Sequence, residues 1–174
     1  MTNHDPCLKL STNIEKYAEK YADRKGDFYF KHPYNTWLKD DWLIHDFTLE
    51  ELKELRRTQR YDFRNPMFDN TWQMMTLEET IELMFTLQKN LPKERQYPIG
   101  LYIETKMYQF YVDNYGINPA EKLYEVLKKY DLETVEKSTN KLPIIVECFE
   151  HQSLEKFKTL SDLPLIFLMN AWNI

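Results

Sequence analysis

The sequence predicts an α/β chain built on a parallel sheet, and three features carry that prediction. From Thr76 onward, helix and strand signals alternate three times. Three apolar runs, within 98–106, 142–150 and 164–170, have the length of strands and not of helices. Two of the helices also have marked starts, at Thr76 and at Asn118.

Before Thr76 the pattern is weaker. Residues 11–75 are aromatic, charged and poorly periodic. Ser11, Thr12 and Asn13 offer caps for a short helix running to about Asp23, and Gly26 is placed to end it. Thr48 and Glu51 form a capping box: the hydroxyl accepts from a backbone N–H and the carboxylate reaches back. The helix it opens should pass Leu52 and Leu55 and end near Arg57. Arg56, Arg57 and Arg60 then read either as a solvated helix C-terminus, favoured by the helix dipole, or as a phosphate-binding block.

Thr76 and Glu79 make a second box, followed by Leu77, Ile81, Met84, Phe85 and Leu87 or Gln88 at helical spacing. The flanks of the two Thr-Leu-Glu-Glu boxes differ, so they are independent caps and not a repeat. Residues 90–97 form a polar loop. In the strand 98–106, Ile99, Leu101 and Ile103 alternate with Gly100, Tyr102 and Glu104. Pro98 stands at its first position, where a missing N–H is tolerated. Asn118 as N-cap and Pro119 at the first helical position open a helix with the stripe Leu123, Val126 and Leu127, ending near Tyr130. A strand over 142–150, a short helix over 153–160 and a strand over 164–170 complete the series.

Composition narrows the function. The 174 residues suit one ordinary domain, and 43% hydrophobic with 15% aromatic residues supports a packed core. A net charge of −5 argues against a nucleic-acid partner, which a basic face would recruit. Cys7 and Cys148 read more simply as free thiols than as one bridge. The longest apolar run, 163–169, is too short for a membrane span, and residues 1–6 have neither a basic nor an apolar signal region. The chain therefore reads as soluble and not secreted. His32, His45 and His151 have no partner at a zinc-ligand spacing. With only three glycines there is no Gly-rich phosphate loop, and no Ser nucleophile elbow is present. What remains is Glu104 and Lys106 on one side of a strand's C-terminal end, where α/β folds place their sites. They are either an ordinary capping ion pair or part of a site. His4 and Glu147 also stand at strand ends or in strand-end loops.

The order of these segments resembles the glycerophosphodiester phosphodiesterase family. The resemblance rests on Thr76-Leu-Glu-Glu, on Ile99-Gly-Leu-Tyr-Ile-Glu-Thr-Lys106, on Leu123-Tyr-Glu-Val-Leu-Lys-Lys-Tyr130 and on Glu147-Cys-Phe-Glu150. His4-Asp5-Pro6-Cys7-Leu8 with Ser11 and Thr12 is similar to the family's His-Asp-x-x-Leu motif and its trailing Thr. Asp46-Phe-Thr-Leu-Glu-Glu-Leu52 is similar to the end of the family's inserted subdomain.

The resemblance implies a (β/α)8 TIM barrel of the phosphatidylinositol-phospholipase-C-like phosphodiesterase type, incomplete here. Residues 11–75 would be the inserted subdomain and 76–174 the barrel portion of a partial domain spanning 1–174. It implies hydrolysis of glycerophosphodiesters to glycerol 3-phosphate and an alcohol, with a divalent cation, Mg2+ or Ca2+. His4 would be the second of two catalytic histidines, Glu104 a metal ligand, and Lys106 a group that neutralises phosphate charge. A hard cation wants carboxylate oxygens, and a histidine moves the proton.

The sequence also departs from the family. The opening His-Arg-Gly and the following Glu-x-Asp pair are absent, and Glu147 stands where the family usually has Gln. The chain therefore resembles a middle piece of an enzyme. Two alternatives follow: an inactive fragment or pseudo-enzyme of the same fold, or a related phosphodiesterase acting on a sphingophospholipid. Taken alone, an open sheet with unpaired edges should be unstable, associating or inactive.

Overall fold

The computed structural model describes residues 1–31, 33–92, 94 and 97–169. The sequence readings at His32 and Asn170, and part of the 90–97 loop, lie outside these residues. The chain divides into two compact units, Met1–Leu77 and Glu78–Ile174.

The first unit contains an antiparallel hairpin that periodicity did not reveal. Strand β1 (Lys25–Phe30) pairs with β2 (Thr36–Trp42), from Lys25 opposite Trp42 to Phe30 opposite Thr36. The register shifts between Gly26 and Phe28, so Gly26 marks a bulge and not the end of a helix. The expected helix over 11–23 is replaced by two 3-10 turns, Ile14–Tyr17 and Ala22–Arg24. The reason is local. Asn13, at the N-cap position, spends its Oδ1 on Arg56 N at 2.8 Å, and Thr12 Oγ1, which donates to Leu8 O at 2.8 Å, accepts only from Ile14 N at 3.3 Å, so a single turn is capped.

Leu8, Ile14, Tyr21, Trp42, Phe47, Leu52, Leu55 and Met74 form this unit's core. Trp42 is fully buried, and its indole N–H donates to Tyr21 O at 2.8 Å, which satisfies the one polar atom it takes inside. Helix α1 (Leu49–Glu54) starts at the predicted box: Glu51 N donates to Thr48 Oγ1 at 3.3 Å and Thr48 N to Glu51 Oε2 at 2.9 Å. It stops at Glu54, short of the expected Arg57, because Leu55 is extended and buried.

Helix α2 (Leu77–Lys89) follows the predicted spacing and buries Ile81. In the second unit, β3 (Leu101–Glu104) pairs in parallel with β4 (Ile144–Cys148), and β4 with β5 (Leu165–Phe167). Among the described residues these three form one sheet in the order β3-β4-β5, each shorter than its predicted run. Gly100 has a steric reason. Leu101 N donates to Pro143 O at 2.8 Å, and a Cβ on Gly100 would sit 2.9 Å from that oxygen.

Two helices escaped the sequence reading, α3 (Tyr108–Tyr115) and α5 (Val135–Ser138). Between them α4 (Pro119–Lys129) starts as predicted, with Asn118 Oδ1 accepting from Ala120 and Glu121 N at 3.1 and 3.2 Å. Helix α6 (His151–Lys158) begins two residues before the predicted Ser153 and packs on β4, β5 and α4. Ile144, Val146 and Cys148 are buried together with Leu123, Leu127, Leu154 and Phe157. The alternate residues of the sheet, Tyr102, Glu104, Ile145 and Glu147, are half-buried or exposed.

Candidate active site

Parallel pairing puts Glu104 beside Glu147 at the C-terminal ends of β3 and β4. Strand alternation places Tyr102 and Glu104 on the same face, next to Ile145 and Glu147. Two carboxylates at neighbouring positions repel each other. Each therefore has a partner: Lys106 Nζ lies 2.8 Å from Glu104 Oε1, and the Tyr102 phenol donates to Glu147. That hydrogen bond raises the pKa of Tyr102 above the ordinary phenol value. Lys106 and Glu104 are each less than one-fifth exposed, and Lys106 also lies 5.8 Å from the centre of the Phe149 ring. The structure thus brings together three of the sequence-predicted residues: Glu104, Lys106 and Glu147.

The turn after β3 is fixed from below. Thr105 N donates to Glu147 O at 3.0 Å, and Thr105 Oγ1 meets Ser153 Oγ at 2.9 Å. Cys148 Sγ donates to Thr105 O at 2.9 Å. Glu150, 5% exposed, accepts from Tyr108 N at 2.6 Å and Gln109 N at 2.9 Å. A carboxylate from the β4–α6 link therefore caps α3, directly after Lys106 and Met107. Sequence reasoning missed this role, because the cap lies 42 residues from the amide it satisfies.

Two acidic side chains at adjacent register positions suit a hard divalent cation, which is commonly held by one or two carboxylates with water completing its shell. Among the described residues, no group of three His, Cys, Asp or Glu side chains converges as a metal centre. The donor chemistry of Glu104 and Glu147 fits a cation, provided Lys106 releases Glu104.

His4 lies in the first unit, in a polar cluster of its own. Its Nδ1 is 3.1 Å from Asp5 Oδ1, and Asp5 Oδ2 is 3.1 Å from Arg60 Nη1. Arg60 Nη1 also contacts His4 Nδ1. The arginine block is consequently divided in its roles. Arg56 does bond the carbonyls of Lys53, Glu54 and Leu55 at 3.0 Å, as a helix C-terminus favours. Arg57 instead turns inward to Thr2 O at 2.6 Å and to Asn3 Oδ1, and burial lowers its pKa. His45 and His151 lie on the 3-10 turn Ile44–Asp46 and at the start of α6; His151 Nδ1 is 3.4 Å from Glu155.

Comparison with known proteins matches residues 1–173 to the glycerophosphoryl diester phosphodiesterase family. A relative from Arabidopsis thaliana, named glycerophosphodiester phosphodiesterase, is 28% identical over 174 residues, covering 97% of this chain and 43% of the relative. A relative of the same name from Haemophilus influenzae is 26% identical over 152 residues, covering 81% of this chain and 39% of its own length. The chain spans about two-fifths of the length of these relatives.

Proposed function

The chain belongs to the glycerophosphoryl diester phosphodiesterase family, and from that premise we propose that its protein hydrolyses glycerophosphodiesters, such as deacylated phospholipids, to glycerol 3-phosphate and an alcohol. The observation that carries this reading is the pairing of Glu104 with Glu147 at the strand ends, with Lys106 beside them.

Glu104, with Glu147 as a second donor, would hold Mg2+ or Ca2+, which supplies Lewis-acid polarisation of a phosphoryl oxygen. Lys106 is an ammonium held between a carboxylate and the Phe149 ring, suited to an anionic phosphate oxygen. His4 is the group that moves a proton, with Asp5 and Arg60 both at its Nδ1. In this reading β3, β4 and β5 are part of a (β/α)8 barrel, and residues 11–75 are its inserted subdomain.

The test is release of glycerol 3-phosphate from glycerophosphocholine by the purified full-length protein, with Mg2+ or Ca2+ and then with chelator. Release that stops on chelation supports the proposal. No release with either cation overturns it in favour of a non-catalytic member of the family. Preferential turnover of a sphingophospholipid overturns the substrate assignment.

A further inference from the structure

We propose that Arg60 is a positioning residue that sets the tautomer of His4; the inference rests on the reading of His4 as the proton-transfer group.

The Nδ1 of His4 meets two partners with opposite demands. Asp5 Oδ1, at 3.1 Å, is an acceptor and needs a hydrogen on Nδ1. Arg60 Nη1, in contact with the same nitrogen, is a permanent donor and needs its lone pair. A neutral imidazole satisfies one of them at a time. Asp5 Oδ2 lies 3.1 Å from Arg60 Nη1 as an ion pair without a hydrogen bond, and that positive charge reduces the carboxylate's pull on an Nδ1 hydrogen.

The guanidinium is held firmly enough to impose its choice. Its central carbon lies 5.3 Å from the Tyr61 ring centre, and Tyr61 stacks on Phe63 at 5.3 Å. The loop carrying all three is closed by hydrogen bonds that backbone amides donate. Arg57 N donates to Trp72 O at 2.7 Å, Asn70 N to Arg57 O at 2.8 Å, and Gln59 N to Asp69 Oδ1 at 2.7 Å. The Arg60 side chain is only 27% exposed, whereas that of His4 is 61% exposed.

The neutral ring therefore carries its hydrogen on Nε2 and accepts from Arg60 through Nδ1. In that state His4 offers a phosphoryl or leaving-group oxygen an N–H donor. The opposite state, with Nδ1–H turned to Asp5 and a free Nε2 lone pair, is reached when Arg60 moves off the ring. Arg60 thus decides whether His4 meets the substrate as donor or as acceptor. Nothing in the local sequence signals this, because the two residues are 56 positions apart.

The test is the imidazole 15N spectrum of His4, recorded where the ring is neutral, for the protein and for Arg60→Gln, Arg60→Lys and Asp5→Asn. The expected majority tautomer is Nε2–H in the protein, in Arg60→Lys and in Asp5→Asn, and Nδ1–H in Arg60→Gln. The same tautomer in Arg60→Gln and the unaltered protein, with unchanged circular dichroism, overturns the proposal. So does an Asp5→Asn variant that switches. The companion readout is glycerol 3-phosphate release, where Arg60→Gln should lower kcat about tenfold with KM within about twofold, and Arg60→Lys should recover part of the loss. A tautomer switch in a protein that releases no product supports the positioning role and removes the catalytic one from His4.

Discussion

Replacing Glu150 by alanine should destabilise the second unit by about 2–3 kcal/mol. Helix α3 has no local cap: Met107 precedes it with φ of 56° and bonds no amide through its side chain. The Glu150 carboxylate does that work, accepting from Tyr108 N and Gln109 N at 2.6 and 2.9 Å. Each amide left unpaired costs about 1–3 kcal/mol when buried. Both are partly open to water here, which keeps the cost near the lower end. Losing the carboxylate at the positive end of a helix adds about 0.3–1 kcal/mol. Against this, alanine removes a charge from a site that is 5% exposed. The assay is urea denaturation, with Glu150→Gln as companion; one acceptor oxygen survives there, so about half of the loss is expected. Exchange of the Tyr108 and Gln109 amides should also accelerate about tenfold or more in the alanine variant. A change below about 0.5 kcal/mol, the range of ordinary surface substitutions, would refute the capping argument.

Three further predictions concern other parts of the chain. Arg24 and the Thr48 amide hold Glu51 down from 4.5 to about 2, so its stabilising contribution is present above about 4.5 and lost as the pH falls toward about 2; urea midpoints should drop across that window, and Glu51→Gln should flatten the drop. Cys7 and Cys148 are 1% and 0% exposed, with thiols pushed up by burial, so a thiol reagent should label neither until the protein is unfolded; rapid native labelling would contradict their placement. Strand β5 is at one end of the described sheet with Ile166 and Phe167 38% and 48% exposed, so Ile166→Lys should reduce self-association in light scattering, and an unaltered particle size would show that this edge is not the associating surface.

Structure was legible where its determinants are close in sequence. Thr48 with Glu51 and Asn118 with Pro119 are complete signals within four residues, and both helices begin where those signals place them. The three apolar runs were legible as strands from their length, and along β4 burial does alternate from Ile144 to Cys148. Their pairing was also inferable from the intervening helices. What was not legible depends on distant partners. Helix α3 rests on Glu150, the cap expected at Asn13 is diverted to Arg56, and Arg57 and Arg60 turn to Asn3 and Asp5. At the site, Glu104 and Lys106 were visible from alternation alone. The contact of Tyr102 with Glu147 depends on the register of β3 against β4, which no single stretch encodes.

The proposed role of Glu104 at a divalent cation in glycerophosphodiester hydrolysis is decided by one comparison. Glycerol 3-phosphate release from glycerophosphocholine is measured against Mg2+ or Ca2+ concentration for the protein and for Glu104→Ala, alongside a calorimetric titration of each with the same cation. Cation-dependent release is expected from the full-length protein, and loss of both the binding heat and the release in Glu104→Ala. Retained release with the same cation requirement in Glu104→Ala would contradict that role.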